Sequence, residues 1–137
     1  MSQKLKILYL MKILLDRTDD DHCLTMPELI SALGEYGITA ERKSLYADLA
    51  ALREYGLDIE TRRGKSVGYY VANRLFELPE LKLLVDAVQS SRFITTKKSN
   101  ELIKKLSSLS SGYEAMQLRR QVYVANRIKT HNESIYY

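Results

Sequence analysis

The sequence predicts a mainly α fold with a small β-hairpin, and three consecutive segments predict it. Residues 25–37 read as a capped helix closed by glycines, and 39–56 as a second, amphipathic helix. Residues 57–71 read as two short strands around a basic loop. Helix, turn, helix and hairpin in that order make a winged helix-turn-helix, here followed by a helical extension. A chain of 137 residues with 45% apolar content can form one domain or two small ones, read here as 1–75 and 76–137.

Near the N-terminus, Leu5 to Leu15 is an apolar run interrupted by Lys6 and Lys12. It is too short to span a bilayer and lacks a small-residue cleavage site, so neither anchor nor signal peptide is expected and the protein reads as cytoplasmic. Cys23, the single cysteine, excludes an internal disulfide framework. His22 stands beside it, but with no Cys/His cluster elsewhere the pair is read as loop filler, and no metal is expected.

Thr25-Met26-Pro27-Glu28 has capping-box spacing, in which the Thr25 hydroxyl accepts from the Glu28 amide while the Glu28 carboxylate reaches back. Leu29, Ile30 and Leu33 give this helix its apolar face, and Gly34 to Gly37 closes it. Thr39 is the expected cap of the second helix, whose buried stripe is Leu45, Leu49 and Leu52. Gly56 suits the left-handed residue that ends such a helix. The opposite arc carries Lys43, Ala47, Ala50 and Glu54, flanked by Ser44 and Tyr46. Short side chains with a cation, a hydroxyl and a phenol are what close approach to a nucleic-acid groove requires. An ordinary solvated face would more typically be filled with long charged residues.

Leu57 to Arg62 alternates as a half-buried strand, and Gly68 to Val71 is its partner. Arg63, Gly64, Lys65, Ser66 and Val67 lie between, with Gly64 and Gly68 expected to supply positive φ. Beyond the hairpin, Pro79 opens a helix with a Leu81, Leu84, Val85 and Val88 stripe. Another helix begins near Thr96 or Lys97, with Leu102, Ile103, Leu106 and Leu109 as its buried face. Lys97, Lys98, Lys104 and Lys105 decorate its other side; solvated charge is the default reading and a second phosphate-binding surface the sharper one. Ser107 to Gly112 is a Ser-rich stop, after which Gln121 to Val124 is either a short strand or a helix extension.

The net charge of +4 is unevenly spread. Residues 1–75 hold 11 Lys/Arg against 11 Asp/Glu, so bulk basicity cannot argue for nucleic acid there. Local arrangement does. Asp16, Asp19, Asp20 and Asp21 gather at the first loop, while Arg42, Lys43, Arg62, Arg63 and Lys65 gather at the second helix and hairpin tip.

These residues carry a family resemblance. Thr25 to Val71, with Glu41-Arg42-Lys43-Ser44-Leu45-Tyr46-Ala47-Asp48-Leu49 and Leu52-Arg53-Glu54-Tyr55-Gly56, resembles the DeoR-type winged helix that opens bacterial WYL-domain transcriptional regulators. Ile13-Leu14-Leu15 and Thr18-Asp19 extend the likeness upstream, and Leu75-Phe76-Glu77-Leu78-Pro79-Glu80-Leu81 extends it downstream. Ala47 departs from it where a basic residue is frequent, and Cys23 where proline is common.

The resemblance implies a DNA-binding transcriptional regulator whose C-terminal effector-binding domain follows Tyr137. Any effector would bind there. The expected DNA-contacting residues are Arg42, Lys43, Ser44, Tyr46 and Ala47 on a helix of about residues 40–55 in the major groove, and Arg62, Arg63 and Lys65 on a wing, 62–68, that lies on the backbone or in the minor groove. A homodimer is expected because helix-turn-helix proteins pair half-sites, with the apolar surfaces of Lys6 to Leu15 and of Pro79 to Leu109 as the candidate contacts. No cofactor, membrane partner or catalytic constellation is expected: His22 and His131 stand apart, and no Gly-rich phosphate loop follows a strand. Biotin protein ligases open with a similar winged helix, but a large catalytic domain has no room here. The alternative to DNA binding is a winged helix used for protein–protein contact, which would expose apolar anchors on the helix face.

Overall fold

Apolar residues spaced three and four apart give the first helix a buried stripe, against which the next two helices and the sheet pack. In the computed structural model, which describes residues 3–122, a short 3-10 turn (Gln3–Leu5) leads into α1 (Lys6–Arg17). Leu10, Ile13 and Leu14 of α1 are fully buried, each contributing about 1.5–3 kcal/mol of transfer free energy. The described residues are mainly helical, with one three-stranded antiparallel sheet, and the chain divides into two units between Arg74 and Leu75.

In the first unit, β1 (Leu24–Thr25) precedes α2 (Met26–Glu35), α3 (Arg42–Tyr55), β2 (Ile59–Arg62) and β3 (Gly68–Val71). The sheet order is β1-β3-β2, with Leu24 opposite Tyr69 and Ile59 opposite Val71. The α1 stripe packs with Met26, Leu29, Ala32 and Leu33 of α2, Leu45, Leu49 and Leu52 of α3, and Ile59, Tyr69 and Val71 of the sheet. The capping box forms: the Thr25 hydroxyl accepts from the Glu28 amide at 3.4 Å, and the Thr25 amide donates to Glu28 Oε1 at 3.0 Å. Gly56 ends α3 at a φ of 126°.

Thr39 and the hairpin glycines depart from the sequence expectation. Thr39 does not cap α3, which starts at Arg42 with Glu41 at the N-cap and no side-chain cap bond. Ile38 is the cause: it is buried and its amide bonds to the Leu33 carbonyl, so the chain is drawn into the core before the helix can begin. The hairpin loop turns without positive φ at Gly64 or Gly68, as loops of this length commonly do around a type I turn. Gly68 is required for another reason, because a Cβ there would lie 2.9 Å from Cys23 Cβ. Strand β1 has no counterpart in the sequence pattern, since two residues carry no periodicity.

The second unit holds α4 (Leu78–Gln89), α5 (Thr96–Ser107) and a helix over residues 112–122, α6. Pro79 lies in the first turn of α4, and the Glu77 amide donates to Glu80 Oε1 at 2.8 Å. Leu81, Val85, Ile103 and Leu118 form its core, flanked by Phe76, Leu78, Val88, Leu106 and Val122. Leu109 is not in the buried face of α5; it lies in the turn after the helix and is 40% exposed. Gln121 and Val122 are helical rather than a strand, and residues 123–124 lie outside the described residues.

Candidate nucleic-acid interface

The orientation of α3 is fixed from behind by a polar contact within an apolar helix. Lys6 is buried, and its ammonium pairs with Asp48 Oδ2 at 2.8 Å and donates to the Ser44 hydroxyl. A buried ammonium costs heavily unless paired and hydrogen-bonded, so this contact selects one placement of α1 against α3. Ser44 is therefore engaged by Lys6 rather than standing free among the outward residues. The far end of α3 is tied by Arg53, whose Nε donates to the Ile59 carbonyl at 3.0 Å.

On the hairpin side, Tyr46 stands at the start of the contact. Arg42 Nη1 donates to the Tyr46 hydroxyl at 3.3 Å. Burial, then the charge of the neighbouring Tyr46 phenol, pushes the Tyr69 hydroxyl above its ordinary range. The first turns of α3 thus lie beside β3. Ile59 and Val71 pair toward the core and Thr61 and Tyr69 pair next along the same face, and the 63–67 loop joins the two strands beyond the Arg62–Gly68 pair.

The hairpin has its own anchors on α1. The Thr18 hydroxyl donates to the Leu14 carbonyl at 2.6 Å and accepts from the Val71 amide at 3.0 Å. Arg74, just past β3, donates to the carbonyls of Leu15 at 2.9 Å and Thr18 at 2.6 Å. It satisfies acceptors that the end of a helix leaves open, with a cation at the negative end of the dipole.

Lys43, Ala47, Ala50 and Glu54 are exposed along one face of α3, while Tyr46 is 45% exposed. Arg42 and Lys43 occupy a first turn with no acidic residue and no side-chain cap. Two cations at the positive end of a helix suit an anion, with the Glu41 carboxylate at the N-cap opposing them. On the hairpin, Arg63 and Lys65 are exposed on the 63–67 loop. Arg62 differs: its guanidinium lies 4.7 Å from the centre of the Tyr70 ring and donates to the Asp20 carbonyl. It braces the hairpin base against the acidic loop. Glu60 flanks this region; a hydrogen bond with Asp58, then that residue's charge, holds its carboxyl above the usual range.

The acidic loop is itself a closed turn. Asp19 and His22 exchange backbone hydrogen bonds at 3.0 and 3.2 Å, and His22 Nδ1 lies 2.8 Å from Asp19 Oδ1. Among the described residues, no group of three or more His, Cys, Asp or Glu could hold a metal ion, and no helix is long and apolar enough to cross a membrane.

Sequence reasoning misses Lys6, Asp48 and Tyr69 as positioning residues. The only trace of the first is a lysine interrupting an apolar run. No family model matches the chain, nor does any curated protein or solved structure.

Proposed function

We propose that residues 3–74 are a winged helix-turn-helix that binds duplex DNA, with α3 in the major groove and the 63–67 loop on the backbone, in a transcriptional regulator of the WYL-domain type. The observation that carries this reading is the face of α3. It begins with an uncapped first turn bearing Arg42 and Lys43 and continues through Ala47 and Ala50, short enough for backbones to approach. Large apolar anchors, which a protein-binding helix would present, are absent from that arc: it carries Lys43, Ala47, Ala50 and Glu54. Arg42 serves phosphate, Lys43 and Tyr46 the groove, Ser44 holds the helix through Lys6, and Ala47 gives clearance. Pairing of two copies fits recognition of symmetric half-sites; with Leu10, Ile13 and Leu14 enclosed in the core, the large apolar side chains exposed there are Leu8 of α1 and Leu5 just before it.

The test is selection of a preferred duplex from a random pool, followed by fluorescence anisotropy on that duplex. Lys43→Ala should cost about 1–3 kcal/mol if Lys43 contacts a base edge, and less if it contacts phosphate alone. Unchanged binding in a Lys43→Ala/Tyr46→Ala protein that remains folded would remove α3 as the reading helix.

A further inference from the structure

Lysine in the first turn of a helix works against the helix. The positive end of the dipole disfavours cations there and favours acids. α5 nevertheless has no acid in its first turn and carries Lys97 and Lys98 in it. Its N-terminus is already capped, the Thr95 hydroxyl accepting from the Lys98 amide at 3.2 Å, and the only ion pair either lysine makes among the described residues is the exposed one between Lys98 and Glu101. A local rule broken with so little local compensation is where function is expected to intrude.

At 100° per residue, Lys97, Lys98, Lys104 and Lys105 fall within one arc of about 120°, opposite the face that carries Ile103 and Leu106. All four are exposed. The one acid in the arc, Glu101, lies 3.7 Å from Lys98, and among the described residues Lys97, Lys104 and Lys105 form no ion pair. The pairs 97/98 and 104/105 are seven residues apart, about 10.5 Å along the axis. That span is close to the major-groove width of about 12 Å, and four-carbon stems cover the remainder.

The distribution of charge shows how much of the chain's positive charge the stripe carries. Residues 1–75 are neutral, with 11 Lys/Arg and 11 Asp/Glu. The rest of the chain holds 10 Lys/Arg (21 − 11) against 6 Asp/Glu (17 − 11), so all of the +4 lies there. A DNA-binding chain draws its long-range attraction from net positive charge, and only this part has any. The apolar face of α5 is enclosed with Leu81, Val85 and Leu118, leaving no side to insert into a bilayer, so a polyanionic duplex suits the stripe better than an anionic membrane.

We infer that the α5 lysine stripe is a second phosphate-binding surface, gripping the duplex backbone without reading sequence. This rests on the DNA-binding reading of residues 3–74. The test uses the full chain and a fluorescent duplex of random sequence, with affinity measured across a salt series. Replacing Lys97, Lys98, Lys104 and Lys105 by Gln should flatten the log–log salt slope by about 3–4 and weaken low-salt binding by at least about tenfold. The Lys97→Gln/Lys98→Gln protein should melt no lower than the wild type while binding the duplex more weakly, which a merely structural role for the two lysines would not produce. A wild type that binds the duplex with a quadruple variant of equal slope overturns this inference and leaves the α3 reading standing. A wild type that binds no duplex at low salt overturns both. Lysine-dependent binding to phosphatidylserine vesicles, with duplex binding unaltered, assigns the stripe to membrane and overturns it as well.

Discussion

Lys6 is visible in the sequence as an interruption, yet its role is not. Its partners Ser44 and Asp48 lie 38 and 42 positions away, and no local pattern encodes such a separation. The neighbouring apolar stripe is legible because Leu10, Ile13 and Leu14 follow helical spacing. The contact has an energetic consequence. The Lys6 side chain is 9% exposed and that of Asp48 21% exposed. Removing one partner of a fully buried pair costs about 3–5 kcal/mol, and the residual solvent access of Asp48 reduces that. Asp48→Ala should therefore destabilise the protein by about 2–3 kcal/mol, seen in urea unfolding as a lower midpoint with an unchanged slope. Lys6→Met/Asp48→Leu should recover most of the loss, since two well-packed apolar groups replace a pair at little cost. An Asp48→Ala protein as stable as the wild type would mean that the ion pair does not hold α3.

At the level of elements, legibility depends on what sets each element. The Leu45, Leu49 and Leu52 stripe emerges as read because it is set by periodicity, and the Gly68–Val71 strand emerges at the expected bounds as the partner of the strand before it. The start of α3 and the strand β1 do not, because they are set by Ile38 entering the core and by pairing of Leu24 with Tyr69. The basic cluster on the hairpin also divides once the fold is known. Arg62 lies on Tyr70 and bonds to the Asp20 carbonyl, whereas Arg63 and Lys65 are on the exposed loop. A five-residue loop without internal regular structure cannot hold a bidentate base contact, but its long side chains reach phosphates. Arg63→Ala/Lys65→Ala should weaken specific and random duplexes alike and flatten the salt slope by up to about 2. Arg62→Ala should instead lower stability, because its contacts are within the protein. If the double loop variant keeps its salt slope and loses discrimination between duplexes, the wing reads sequence or groove width.

Across the whole chain, the division at Arg74 separates two apolar clusters with no member in common. The sequence hints at the boundary through the shift from hairpin to Pro79-initiated helix, and through the neutral and basic halves of its charge. Nothing in it signals that Arg74 closes α1, since a cation's carbonyl partners 56 and 59 residues back leave no pattern. Every residue of the first cluster lies before Arg74, so the piece ending at Leu75 contains all of its core and its last anchor. It should fold cooperatively on its own, with a circular dichroism melt and a dispersed amide spectrum. A piece of this size buries only about 60% of its unfolded surface and is marginal, so single polar contacts matter. Arg74→Ala in it withdraws charge-assisted donors from the Leu15 and Thr18 carbonyls, and should cost about 1–3 kcal/mol. The same region's Thr18 hydroxyl keeps its bonds to Leu14 and Val71, so the Arg74→Ala piece is expected to melt at a lower temperature with its transition still cooperative. A piece that remains unfolded with Arg74 present would show that the core around Leu10, Leu33 and Leu49 depends on residues beyond Leu75 for its stability.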